Sequence, residues 1–246
     1  SGSNQPCRMC LGLRYYKIIL FNTIFQNLRS SCFNIYLIQL LCKKKKQLII
    51  SVGREFGSGG HVIAETLAKR FDLPLYDSNI LESIAQERNV DAKTLHRYDE
   101  VPRNILFSRR VREYSTSAEE NIAQMQFEYL KKKADEGESF VVVGRCSETK
   151  LAGTPGLITI FVLGDIPVKT ARIMKLHNLT EKEAKNMIEK QDRQRKMYHN
   201  YYVKGKWGDS RNYDLSINSS RMGIEKTADF LESYIRERIA EPVQEA

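Results

Sequence analysis

Eight consecutive residues, Arg54-Glu-Phe-Gly-Ser-Gly-Gly-His61, have the types and order needed to hold an anion. Glycine lacks a Cβ, so the N–H groups of a run such as Gly57, Ser58, Gly59 and Gly60 can turn inward and approach phosphate oxygens closely. A helix beginning at the end of that run adds the partial positive charge of its N-terminus. An ordinary glycine-rich connection would have the same composition, so the company this segment keeps decides between the two.

Three further places carry candidate chemistry. Asp77-Ser78 follows the short apolar run Leu73–Tyr76, and polar residues at the carboxyl end of a parallel strand face the crevice where open α/β sheets bind ligands. Asp77 or Ser78 would serve equally as a helix N-cap. Gly144-Arg145 follows the apolar run Phe140–Val143 in the same way, which aims Arg145 at that crevice. The third place is the basic stretch Lys190-Gln-Asp-Arg-Gln-Arg-Lys196. Arg193 and Arg195 are two apart and cannot share a helix face, whereas Asp192 and Arg195 can pair. Cys146 has no His or other base near it in sequence and reads as a small packed hydrophobe. Arg97, Arg103, Arg109, Arg110 and Arg112 could grip a phosphate or form a solvated face.

The elements that must position these residues alternate. Leu48–Val52, Leu73–Tyr76, Phe140–Val143, Leu157–Leu163 and Tyr213–Ile217 are short apolar runs of the kind buried in parallel sheets. Helical patterns stand between them. Val62, Leu67 and Phe71 form a stripe beside Ala64 and Ala68. Ser117-x-x-Glu120 is a capping box ahead of Ile122, Met125, Tyr129 and Leu130, and Gly137 ends that helix. Asp165 and Pro167 suit an N-cap and first turn, Thr180-x-x-Glu183 is a second capping box, and Ile224, Thr227, Leu231, Tyr234 and Ile235 form a last stripe.

The chain has 246 residues and a net charge of +9, but the excess is local. Residues 1–46 carry eight basic residues and no acid. Those eight, taken from 39, leave 31 basic against 30 acidic residues, so a nucleic-acid-binding stripe is excluded as the main reading. Four of five cysteines, including Cys7-x-x-Cys10, lie in the same leader, leaving Cys146 alone in the remainder. A reducing, cytoplasmic setting without a disulfide framework fits that distribution. Arg29 and several Asn and Gln residues interrupt the apolar stretch 18–42, so a membrane span is not favoured. The expected organisation is a basic leader, 1–46, outside a folded domain of residues 47–240.

With strands and helices alternating, a phosphate turn after the first strand and a basic segment before the last, the chain resembles the nucleoside monophosphate kinases. More closely, it resembles the cytidylate kinase-like family, whose hallmark is a strand followed by REFGSGGH, here Arg54–His61. The resemblance runs over about residues 47–238. It implies a three-layer α/β/α P-loop NTPase fold with a five-stranded parallel sheet, a helical acceptor-binding insertion (78–136) and a lid (190–210). It implies ATP and Mg²⁺ as cofactors and a nucleotide or small phosphorylated acceptor as partner. By that resemblance, Gly57, Ser58, Gly59, Gly60 and His61 hold the donor phosphates, Asp77 and Ser78 lie by the acceptor nucleotide, and Arg145 holds the acceptor phosphate. Arg193 and Arg195 reach the transferring phosphoryl group from the lid.

The departures are specific. In GxxxxGK[ST] the lysine reaches the β and γ phosphates, and here its position is Gly60, while Arg54 stands at the first glycine and His61 at the hydroxyl. Arg54 could act from the other side of the turn, or pair with Glu55 or Asp77. Val143 stands where cytidylate kinases carry an acid that helps hold the cytosine nucleotide, and Cys146 replaces a further acid. No residue is assigned as a metal ligand, although Asp77 is the acid nearest the expected phosphates. The expected activity is phosphoryl transfer from ATP to a nucleoside monophosphate, CMP-like, or a related acceptor. The alternative is a nucleotide-binding pseudokinase or sensor without turnover. The oligomeric state is left open.

Overall fold

The structure, a computed structural model, describes residues 46–88, 93, 110, 111, 114, 115 and 118–240. The leader before Lys46, the Ser117 cap and most of the arginine-rich stretch 90–114 lie outside these residues.

Strand β1 (Ile49–Arg54) leads through the glycine turn into helix α1 (Gly60–Phe71), followed by β2 (Leu75–Tyr76) and α2 (Ile80–Arg88). A two-residue antiparallel pair, β3 (Arg110–Val111) and β4 (Tyr114–Ser115), precedes α3 (Ala118–Asp135). Then come β5 (Phe140–Val143), the single turn α4 (Ser147–Lys150), β6 (Leu157–Leu163), α5 (Ile166–His177) and α6 (Glu181–Tyr202). A 3₁₀ turn (Ser210–Asn212), β7 (Leu215–Asn218) and α7 (Gly223–Ala240) complete the order.

Five strands form one parallel sheet in the order β2–β5–β1–β6–β7. β1 lies in the middle, with Ile49 opposite Phe140 on one side and Leu157 on the other. Its side chains alternate between two cores. Ile50 and Val52 pack with Ile63, Ala64, Leu67, Ala68, Ala228, Leu231 and Ile235 of α1 and α7. Ile49 packs with Phe140, Val142 and the α2 and α3 residues Ile80, Leu81, Ile84, Ile122 and Leu130. Helices therefore cover both faces, which is why the strands read as continuous apolar runs. The three-layer α/β/α arrangement with a five-stranded parallel sheet is the expected one.

Several boundaries differ from the sequence reading. Val62 is exposed, and the buried stripe of α1 is Ile63, Ala64, Leu67 and Ala68, because left-handed Gly59 (φ 82°) immediately before the helix sets its phase. β2 is shorter than Leu73–Tyr76: the Leu73 N–H bonds back to Ala68 O in the close of α1, and Pro74 has no N–H to donate. β7 starts at Leu215 because Asp214 is engaged with Thr159, whose N–H and Oγ1–H it accepts at 2.7 and 3.0 Å. Residues 190–202 are the second half of α6, whose Thr180–Glu183 capping box is formed. Among the described residues, no helix is long and apolar enough to cross a membrane.

Candidate active site

The turn after β1 is held from three directions. The Ser58 hydroxyl donates to Glu55 O at 2.8 Å, closing the turn on itself, and Ser219, from the loop after β7, donates to Ser58 O. Gly57 and Gly59 sit at φ 78° and 82°, a region L side chains rarely adopt. A Cβ on Gly59 would meet Ile224 Cδ1 at 2.7 Å, the tip of a side chain that can shift, so the backbone conformation is what requires glycine there. Arg172 on α5 donates to Gly57 O, and partial burial pushes its guanidinium below the usual range.

The third hold is a buried charge cluster. Lys169, one turn into α5 with its side chain 2% exposed, places Nζ 3.0 Å from Glu55 Oε2 and 2.9 Å from Asp192 Oδ2. Glu55 Oε2 also accepts the Gly164 N–H, and Asp192 Oδ1 accepts the Phe56 N–H at 2.6 Å. One lysine thus ties the turn to α5 and to the middle of α6. Sequence reasoning missed this residue. Lys169 and Ile173 stand four apart and are both buried, so a lysine on an apolar stripe was the available signal.

Of the turn's amides, Phe56 N–H is taken by Asp192, Ser58 N–H bonds Glu55 O, and Gly60 N–H approaches Ser58 Oγ at 3.3 Å. Those of Gly57, Gly59, His61 and Val62 have no hydrogen-bond acceptor among the described residues. Four open donors at a helix N-terminus suit the oxygens of a polyphosphate. The Ser58 side chain is buried and braces the turn.

Beside the turn, where β1 and β5 end, lies a narrow cleft lined by Arg54, Arg145 and Arg195. Arg145 is buried and left-handed (φ 60°), between Gly144 (φ 76°) and Cys146 (φ 52°). Two successive non-glycine residues in that region cost about 1–2 kcal/mol each, and such strain accompanies function. Arg195 lies over the Phe56 ring, 5.5 Å from its centroid, with Nη1 3.5 Å from Arg54 O. Arg193 is exposed on another face of α6 and does not line the cleft. Tyr198, Trp207 and Tyr213 form aromatic wall, and burial keeps the Tyr213 hydroxyl protonated by raising it well above its usual range. At one side the buried pair His199 Nε2–Glu148 Oε1, 2.8 Å apart, joins α6 to α4.

Asp77 meets the turn from β2. His61 Nε2 lies 2.8 Å from its Oδ2, and the Asn79 N–H donates to Oδ1 at 2.9 Å. Burial alone would raise the Asp77 carboxyl, but the Asn79 and His61 hydrogen bonds and the Arg145 charge outweigh it and hold the group below the usual range. Ser78 is exposed. Asp77 is thus partnered by His61, and Glu55 by Lys169. Asp192 directs both oxygens to Phe56 and Lys169. Among the described residues no group of three His, Cys, Asp or Glu could hold a metal ion. A Mg²⁺ ion fits only as it commonly binds, on nucleotide phosphates and water with one carboxylate, Asp77, nearby.

A model of the cytidylate kinase-like family matches residues 49–221. A solved structure of an uncharacterized protein from Eubacterium ventriosum is 38% identical, with a TM-score of 0.63, over 78% of this chain and 100% of that chain. A shikimate kinase from Bacteroides thetaiotaomicron (13% identity, TM-score 0.47) matches over 77% of this chain and 98% of its own. A gluconokinase from Sinorhizobium meliloti (12%, 0.48) matches over 80% and 95%. No curated protein matches.

Proposed function

Because the chain belongs to the cytidylate kinase-like family, we propose that it is a small-molecule kinase that moves a phosphoryl group from ATP to a nucleoside monophosphate or similar phosphorylated acceptor. The observation that carries this reading is the convergence of Arg54, Arg145 and Arg195 on one cleft beside a turn with four open amide donors. A dianionic acceptor facing a polyphosphate needs that much positive charge, because the transferring group carries negative charge on three oxygens between them.

In this reading the N–H groups of Gly57, Gly59, His61 and Val62 bind the donor phosphates. Arg145, fixed by its backbone and burial, anchors the acceptor phosphate, while Arg195 approaches from α6, with residues 190–210 as lid. Arg54 faces the same cleft from β1, and Arg193 stands outside it until the lid moves. Asp77, kept ionised by His61 and Asn79, orients charge at the mouth of the turn, with Ser78 at the acceptor edge. Mg²⁺, when bound with ATP, would neutralise the β and γ phosphates. Catalysis is then positioning and charge neutralisation, and a phosphate acceptor requires no general base.

The test is ATP consumption by residues 1–246 over a panel of ribo- and deoxyribonucleoside monophosphates with Mg²⁺. Acceptor-dependent ADP formation with at least one of them supports the proposal. A chain that binds ATP and the monophosphates but forms no ADP with any is a sensor, the reading that Gly60 at the lysine position favours.

A further inference from the structure

We infer that positions 54 and 60 share one side-chain slot, and that the cation a lysine-type phosphate turn carries at 60 has here moved to Arg54. The inference rests on the kinase reading for its chemistry but on steric geometry for its first half.

Gly60 differs from its neighbours in the turn. Gly57 and Gly59 have positive φ, whereas Gly60 does not, so its backbone would accept any L-residue. What excludes a side chain is space. A Cβ on Gly60 would lie 2.6 Å from Arg54 Cβ and 3.3 Å from Arg54 Cγ. Arg54 Cβ is fixed to a strand in the middle of the sheet, so neither contact is relieved by swinging a flexible tip. The next neighbour, Val162 Cβ at 3.2 Å, is tight but closer to tolerable. Two side chains cannot both start here, and one of the two positions must be glycine.

The pattern GxxxxGK[ST] places glycine at the first position and lysine at the seventh. Here the same two positions read Arg54 and Gly60: the residue types are exchanged. The arginine side chain starts 2.6 Å from where the lysine would start and lines the cleft with Arg145 and Arg195. Cation and glycine have traded places, and the two side chains would start from nearly the same point. The exchange is not chemically neutral. Arginine offers a planar fork of donors that can bridge two phosphate oxygens, where lysine offers a point charge.

The experiment compares G60A, R54G, R54G/G60A and R54G/G60K with the wild type in the full chain. Melting temperature without ligand reads the slot, and ATP–Mg²⁺ binding by calorimetry reads the charge. G60A is expected to lower the melting temperature by several degrees, and R54G to suppress most of that loss, a coupling that independent sites do not show. R54G is expected to weaken ATP binding at least tenfold, and R54G/G60K to return it to within about threefold of wild type. Additive melting shifts for G60A and R54G overturn the shared slot. ATP binding by R54G/G60K no better than by R54G overturns the transfer of charge. A wild-type chain that binds no ATP ends the kinase reading and the transfer of charge with it, while the melting comparison still decides the slot.

Discussion

Lys169→Met keeps the length of a buried side chain and deletes its charge, leaving Glu55 and Asp192 facing the space where one nitrogen stood within 3.0 Å of both. Breaking a buried ion pair by removing one partner typically costs about 3–5 kcal/mol, mostly because the surviving charge is left uncompensated. The carboxylate side chains retain 28% and 19% of their exposure, so water softens the penalty and the lower end, about 3 kcal/mol, is expected. For a domain of this size that corresponds to a fall in melting temperature of about 6–12 °C. Denaturant unfolding at neutral pH measures it, and the loss should change little between low and moderate salt, since the pair is largely shielded from solvent ions. The triple variant E55Q/K169M/D192N should recover most of the stability. Its amides carry no charge, yet a carbonyl oxygen remains to accept the N–H of Phe56 and of Gly164. A loss below about 1 kcal/mol for the single variant, or a triple variant no more stable than the single, would refute the claim that charge compensation at Lys169 holds the turn.

Three further outcomes are expected. Arg54→Ala should lower turnover at least as severely as Arg195→Ala, each by about 10²–10³-fold in a coupled ADP assay; unchanged rates for Arg54→Ala would remove it from the reaction. Gly59→Ala should destabilise by about 1–3 kcal/mol in thermal unfolding, because it forces an L-residue to φ 82° and drives a methyl against Ile224. The Asp77 carboxyl sits below its unfolded range, so its contribution is present above the unfolded value and lost as pH falls through the lower folded value. The stability difference between wild type and Asp77→Asn, followed by unfolding at stepped pH, should therefore shrink below about pH 4.

Elements written in contiguous residues were legible beforehand. Phe140–Val143 is an unbroken apolar run because both faces of its strand are covered, and the Thr180–Glu183 box announces the start of α6 by local hydrogen bonding alone. The end of the run Phe140–Val143 also aimed Arg145 at the crevice, where it lines the cleft, since parallel topology sends such ends to one side. The cluster around Lys169 was hidden because its partners lie 114 and 23 residues away, a distance at which spacing says nothing. The strained run Gly144–Cys146 was hidden too: arginine and cysteine advertise no left-handed backbone, and surrounding packing imposes it. Arg193 and Arg195 stand two apart and cannot share a helix face, yet both were expected to reach the phosphoryl group; Arg195 lines the cleft and Arg193 is exposed.

The grip on Asp192 has a mechanical corollary. α6 has 22 residues and so is about 33 Å long, and Asp192 lies near its midpoint, fastened to a backbone amide and an ammonium group. The same helix is fastened again about 10 Å further along, where His199 Nε2 lies 2.8 Å from Glu148 Oε1. Any rocking about Asp192 would have to break that buried pair, so the two anchors hold the Tyr198 half of the helix as one piece with α4.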